Sequence, residues 1–363
     1  MVDIFTQPQL VTALSRRIAA TITRPMTVME VCGTHTMSIA RYGLRGLLPP
    51  ELSLVSGPGC PVCVTDGSLL SAALALAARP GLIMTSFGDM LRVPAGSRSL
   101  RSQKDAGADV RLVLSPLEAL AIARDNPTKQ VVFLAVGFET TAPLTASTLE
   151  LARGDNVSNF AVLCGHKTMP AALRALLGRG CQVNGLLCPG HVAAVTGAES
   201  FAFVPRELGL GAAICGFSPT EILLALLKLV QRQEAGERAL DNCYQRAVRP
   251  QGNRRALQVL AEVFAPCDAL WRGLGLIPGS GLALREEYAD FDASRRFASV
   301  IREAELYADD PACCCGQVLR GSMRPQQCPL FATVCTPQQP CGACMVSSEG
   351  SCAAAWRYRE VEV

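Results

Sequence analysis

Four cysteines near the end of the chain, Cys328, Cys335, Cys344 and Cys352, are separated by six, eight and seven residues. Thiolates are soft ligands for iron–sulfur clusters and zinc, and irregular loops between them let four sulfurs converge without regular structure. The pattern points to an iron–sulfur cluster. Zinc competes, because Cys341-Gly-Ala-Cys344 has the spacing of a zinc-knuckle pair. Its second tight pair would have to come from Cys313, Cys314 and Cys315. A third reading leaves all of these as unligated structural thiols. The three adjacent cysteines cannot all serve one cluster comfortably, and they read as packing or exposed thiols.

Two more constellations carry chemistry. In "VSGPGCPVCVTDG", Cys60 and Cys63 flank Pro-Val between an apolar run and a helical one. Such a pair suits a reversible disulfide or a pair of ligands. In "MEVCGTHTMSIARYG", Cys32 and His35 stand three apart just before a helical run. A thiol at a helix N-terminus is expected to have a lowered pKa, and His35 could share a metal with it or hold it as thiolate. A plain capped helix start with Cys32 buried is the competing reading.

Other candidates are weaker. Glu139 in "AVGFETTAP" could bind a cation or transfer protons, or simply hydrogen-bond a helix start. His166 in "CGHKTMP" and His191 in "CPGHVAAV" follow strand-like runs and could be functional or hydrogen-bonded loop residues. Cys164, Cys181, Cys188, Cys215, Cys243 and Cys267 lie in apolar surroundings and read as small buried residues. The chain contains no GxGxxG, no Walker-type loop and no HExxH, so nucleotide use has no support.

Seventeen cysteines in 363 residues, eight of them between Cys313 and Cys352, would mean a disulfide frame in a small secreted protein. In a long chain without a recognisable signal segment they point to metal or redox chemistry and a cytoplasmic protein. Net charge is +3, from 34 basic and 31 acidic residues, and no basic block dominates. Nucleic acid is therefore not an expected partner. The most apolar runs are short or broken by Arg79, Pro80 and Lys228, below the ~20 residues a membrane span needs.

The elements that must position these groups alternate. An amphipathic helix is expected over 7–22. Strands are expected over 52–56, 81–86, 110–114, 131–137, 159–164, 183–188 and 212–215, with helices over 67–79, 116–125, 143–153, 169–178 and 219–235. Near-continuous apolar strands alternating with helices indicate parallel sheets covered on both faces. The expected fold is α/β: two consecutive α/β lobes with parallel sheets, plus a C-terminal helical and loop domain carrying the cluster. The domains would be an N-terminal helix with the CGTHT loop (1–50, packing with the C-terminal domain), lobe I (51–127), lobe II (128–236) and the cysteine-rich domain (237–363). Helices are expected over 253–264 and 285–305, and the tail beyond them is poor in strands. The unusual loops fall after strands, where sites in such folds collect.

Taken together, "EVCGTHT", "GPGCPVCVT", "SFGDMLRVPAG", "GFETTAP" and "CTPQQPCGACMVSSEGSC" resemble the HypD family of [NiFe]-hydrogenase maturation factors, from about residue 28 to 356. The resemblance implies two α/β lobes and a third domain with a [4Fe–4S] cluster. It also implies a scaffold, formed with a small HypC-type chaperone, on which an Fe(CN)2CO group is assembled with cyanide from a HypE-type protein. On that reading Cys32 holds the iron and His35 lies beside it. Cys60 and Cys63 are the redox dithiol, and Cys328, Cys335, Cys344 and Cys352 hold the cluster. Glu139 faces the same cleft, and Cys341 is the most plausible substitute ligand. The expectation is an iron-binding assembly scaffold with redox activity rather than a free-standing turnover enzyme. The alternatives are a free-standing Fe–S thiol-disulfide oxidoreductase and a zinc-stapled protein-binding module.

Overall fold

Apolar runs too short for helices are buried as strands in a computed structural model that describes residues 7–178, 182–307 and 310–358. In chain order the strands are β1 (Met26–Glu30), β2 (Leu52–Ser56), β3 (Leu82–Ser86), β4 (Val110–Leu112), β5 (Gln130–Gly137) and β6 (Phe160–His166). They continue with β7 (Gly185–Pro189), β8 (Gly211–Cys215), β9 (Leu240–Asn242), β10 (Phe264–Trp271) and β11 (Gly275–Leu284). All seven expected strands are present. In β5, every residue after Gln130 is buried, as a strand covered on both faces requires.

Among the described residues, five strands form one parallel sheet in the order β2-β1-β7-β8-β9, and four form another in the order β4-β3-β5-β6. The lobes are therefore not consecutive. The chain leaves the first sheet after β2, builds the whole second sheet, and returns to the first at β7 beside β1. Two causes hide this from the sequence. β1 is short and carries Thr27 and Glu30, so it reads as a poor strand. Parallel partners are chosen by long-range coverage of both faces, not by the strand's own pattern.

The N-terminal helix Pro8–Thr21 packs on the helix Pro219–Glu234. The latter is opened by Ser218 and Glu221 in a reciprocal capping box. Beyond residue 237 the sequence conceals an antiparallel hairpin, β10–β11. Pro266 and several glycines interrupt its pattern, and its outer side is half-exposed. The helix expected over 253–264 is Arg254–Val263, capped by Asn253. The one expected over 285–305 is broken into a 3-10 turn, Glu286–Phe291, and the short helices Ala293–Arg296 and Ala298–Arg302. Asp292 stops the first piece, because its side chain accepts from Ser294 N and restarts the chain as an N-cap. No helix among the described residues is long and apolar enough to cross a membrane.

Candidate functional site

Because the first sheet is parallel, the loops after β2, β1, β7 and β8 emerge side by side from one edge. The first three carry Cys60 and Cys63, Cys32 and His35, and His191 respectively, and Cys215 is the last residue of β8. The two leading loops are clamped together. Gly57 N donates to Glu30 O at 2.7 Å and Gly33 N to Gly59 O at 2.9 Å. A Cβ on Gly59 would lie 2.2 Å from Cys32 N and 2.4 Å from Cys32 Cα. The glycine permits this approach through its missing side chain.

Cys32 is the N-cap of the helix Gly33–Arg41 and is buried. Contrary to expectation, its thiol is not acidified. Burial pushes its pKa up to about 12, with the charges of Glu349 and Glu30 adding to the rise, while the backbone N–H groups of His35 and Thr34 oppose it. A helix of nine residues cannot offset full desolvation. A bound cation could reverse the balance by taking the thiolate directly.

His35 is also fully buried. Its Nε2 lies 3.0 Å from Gly216 O and 3.4 Å from Cys215 Sγ. Burial lowers its pKa to about 4, so the ring is neutral, and a carbonyl partner requires the proton on Nε2. Nδ1 then keeps a bare lone pair, buried without a hydrogen-bond partner. Phe217 packs between His35 and His191, with ring centroids at 4.9 and 4.0 Å.

Cys60 and Cys63 are joined as a disulfide, with Cα atoms 5.3 Å apart, and both are buried. The second sheet reaches this loop through the hairpin. Phe138 stacks on Trp271 at 5.8 Å, and Trp271 pairs with Thr65. Glu139, next to Phe138, is buried. Its Oε1 accepts from Met169 N at 2.9 Å, while Oε2 has no partner. Burial raises its pKa to about 7. His166, by contrast, is structural: Nε2 meets Thr145 Oγ1 at 2.9 Å and Nδ1 meets Gly137 O at 3.3 Å.

In the C-terminal region, Cys328, Cys335, Cys344 and Cys352 line a common cavity. Cys313, Cys314 and Cys315 line it too, Cys315 buried and the other two partly exposed. Cys341 is not among the lining residues, and its N–H donates to Cys335 Sγ at 3.3 Å. The lining sulfurs crowd one another: burial and the neighbouring thiols push Cys344 up to about 12 and Cys352 well above the ordinary value. An all-sulfur donor set of this kind fits an iron–sulfur cluster chemically. Among the described residues, no three His, Cys, Asp or Glu side chains are placed to hold one metal ion.

This cavity belongs to the same apolar cluster as the disulfide, with Cys60, Cys63, Trp271, Cys315 and Cys344 packed in one core. A second link runs to Cys32. Thr34 Oγ1 donates to Glu349 Oε1 at 2.6 Å, and the helix Ser351–Tyr358 lies against Gly33–Arg41. Of the remaining cysteines, Cys188 and Cys215 are buried, whereas Cys164, Cys243 and Cys267 are only partly so; Cys181 lies outside the described residues.

The motifs that carry Cys32, Cys60 and Cys63, Glu139 and the cysteine-rich tail are thus linked through the fold. A family model described as "HypD: Hydrogenase formation hypA family" matches residues 9–359. The chain belongs to the HypD family. It is 44% identical over 367 residues to "Hydrogenase maturation factor HypD" of Azotobacter vinelandii, covering 98% of this chain and 96% of that protein. It is 42% identical over 359 residues to the Escherichia coli K12 protein of the same name, covering 98% and 95%. The corresponding Cupriavidus necator protein is 42% identical over 360 residues, covering 95% and 94%.

Within this HypD chain, two carboxylates at the site went unnoticed in the sequence. Glu30, fully buried at the end of β1, accepts from Cys32 N at 3.2 Å and from Thr36 Oγ1 at 2.6 Å, and burial raises its pKa to about 7. A lone acidic residue ending the apolar run "VMEV" was the available signal. Glu349 had none, since its role depends on a contact 315 residues away.

Proposed function

We propose that this chain acts in hydrogenase maturation as an iron-binding scaffold with a redox dithiol. Iron, as the precursor of an Fe(CN)2CO group, is the cargo, and Cys32 is its thiolate anchor. Cys328, Cys335, Cys344 and Cys352 hold a resident [4Fe–4S] cluster, which when bound supplies single electrons at low potential. HypC-type and HypE-type proteins are the partners on which assembly depends, in the cytoplasm.

The observation carrying this reading is the contiguity of three sulfur sites. The Cys32 loop is bonded to the disulfide loop through Gly33 and Gly59, and the disulfide shares one core with the cysteine-lined cavity. Each chain group then has a task. Cys32 binds, in a pocket that excludes water because almost none of it is exposed. His35 presents a neutral ring whose Nδ1 lone pair can accept a proton or a metal bond. Glu139, with a pKa near neutrality, can hold or release a proton at Oε2. Cys60 and Cys63 store two electrons when reduced and return them when the disulfide re-forms.

Anaerobic purification, an absorption spectrum and analysis of iron, sulfide and zinc test the reading. A brown protein with about four iron and four sulfide is expected, and Cys32→Ala should abolish hydrogenase maturation while leaving that colour intact. A colourless protein with stoichiometric zinc would refute the cluster, and normal maturation with Cys32→Ala would refute the anchor.

A further inference from the structure

The disulfide Cys60–Cys63 is covered, next to Cys63, by the hairpin β10–β11. Trp271 pairs with Thr65 in an antiparallel bridge, and Arg272 N donates to Val64 O at 2.9 Å. The two sides of the hairpin differ. Trp271 and Ile277 face inward and are buried in the core that holds both sulfurs, whereas Leu270 and Leu276 are exposed. Cys60 is 3% and Cys63 1% exposed. Thiol–disulfide exchange needs direct attack on a sulfur, so a dithiol in solution has no access while the hairpin stays in place.

The hairpin is built in two pieces. Its base pairs residues 264–267 with 281–284, its tip pairs 269–271 with 275–277, and the register slips between Cys267 and Ala269. Such a bulge interrupts the ladder and lets the strand bend. Gly279, on the facing strand, has a φ of +62°. The base is fastened to the second sheet, where Cys164 Sγ donates to Leu282 O at 3.0 Å and Lys167 bridges to Gly281. The tip is tied down by the side chain of Lys167, itself buried. Its Nζ donates to Leu270 O at 2.6 Å and lies 3.7 Å from Asp66 Oδ2 and 5.7 Å from the centre of the Trp271 ring. Asp66 caps the helix Gly67–Ala77, three residues after Cys63. One buried ammonium group thus joins the tip to the segment that leaves the disulfide.

We propose that the hairpin tip is a lid on the disulfide, hinged at the bulge, and that Lys167 is the positioning residue that latches it. The proposal rests on the redox reading of Cys60 and Cys63. With the lid raised, one thiolate of a dithiol reductant attacks Cys63 Sγ. The S–S bond breaks and Cys60 leaves as a thiolate, its sulfur already accepting from Cys63 N at 3.2 Å. The reductant's second thiolate then attacks its own sulfur in the mixed disulfide and releases Cys63 as a thiolate. Two electrons pass to the chain, the reductant departs as a disulfide, and its two thiol protons end on Cys60 and Cys63. With the lid down, the disulfide is shielded from thiols in solution.

The test follows reduction of the oxidised full chain by dithiothreitol, with iodoacetamide trapping and mass spectrometry of the peptide holding Cys60 and Cys63. The same chain in guanidinium gives the rate without a lid, and the folded chain should react at least about a hundredfold more slowly. Lys167→Met keeps an apolar stem but loses the bonds of Nζ, so it should speed reduction at least about tenfold. Amide exchange should quicken with it in residues 269–271 and 275–277 and stay unchanged in β5. Asp66→Asn keeps the helix cap through its amide oxygen and removes only the ion pair. It should speed reduction by a smaller factor, and it carries the test if Lys167→Met does not fold. Equal rates in the folded and unfolded chain would overturn the lid. Faster tip exchange without faster reduction would overturn the gating, and unchanged rates in both variants, or exchange quickened equally in β5, would overturn the latch. Normal hydrogenase maturation with Cys60→Ala and with Cys63→Ala would overturn the redox reading instead, an outcome separate from the reduction rates.

Discussion

Gly59→Ala is the sharpest probe of how the Cys32 loop is held. The added methyl carbon would sit 2.2 Å from Cys32 N, 2.4 Å from Cys32 Cα and 2.5 Å from Val31 C. Carbon contacts settle near 3.5–4.0 Å, so backbone must retreat by more than about 1 Å. That backbone is pinned: Gly33 N bonds Gly59 O at 2.9 Å and Thr36 N bonds Cys32 O at 3.0 Å. Overpacking of this kind costs about 1–3 kcal/mol, and loss of the Gly33 bond adds about 1 kcal/mol. The sum, roughly 2–4 kcal/mol, corresponds to a thirtyfold or greater rise in local opening, at ~1.4 kcal/mol per factor of ten. Alkylation of Cys32 by iodoacetamide, read by peptide mass spectrometry, measures that opening. Cys188, fully buried in β7 of the same sheet, serves as the internal reference. Cys32 labelling should accelerate at least about thirtyfold while Cys188 is unchanged. An unaltered Cys32 rate with an unaltered melting temperature would refute the clamp.

Three other outcomes follow from the geometry. Burial raises Glu139 from 4.5 to about 7, so the folded state holds this proton more tightly than the unfolded chain. Its contribution is present in full below about pH 4.5 and is lost as pH rises through 7, by about 3 kcal/mol. Glu139→Gln should therefore melt higher than the parent at pH 8 and match it near pH 4; a difference independent of pH would contradict the assignment. The disulfide Cys60–Cys63 closes a loop of only about four residues, worth ~2 kcal/mol in chain entropy. Reduction should lower the melting temperature by only a few degrees without unfolding, and complete loss of structure on adding dithiothreitol would show that more depends on the bond. Thr34→Val removes a charge-assisted bond to Glu349 worth about 1.5–3 kcal/mol. Amide exchange in the helix Ser351–Tyr358 should quicken, and no change there would mean that packing alone joins it to Gly33–Arg41.

Much of the site was legible because its chemistry is carried by residue type and local spacing. Cys60-Pro-Val-Cys63, the Cys32 and His35 loop, and the cysteine-rich tail each announce themselves within a dozen residues. Pairings that span the chain did not. The helix N-terminus beside Cys32 suggested an acidic thiol, but full burial outweighs the helix terminus and reverses the shift. His166 looked as promising as His191 in sequence, yet it sits in the second sheet with both ring nitrogens engaged. The hairpin β10–β11 escaped notice because one of its sides is half-exposed and proline and glycine blur the alternation.

The sequence by itself determined the α/β class, the positions of seven strands, the family motifs and the sulfur-rich character of the site, because short-range hydrophobic patterning and side-chain chemistry encode them. Only the tertiary structure decided that β1 and β2 share a sheet with β7 and β8, which sets Cys32, Cys60, His191 and Cys215 along one edge. It alone seated Glu30 and Glu349 at Cys32 and brought Cys313, Cys314 and Cys315 to the cavity. Partner choice among parallel strands, and the pKa of a buried group, depend on everything packed around them, and no local window of residues contains that information.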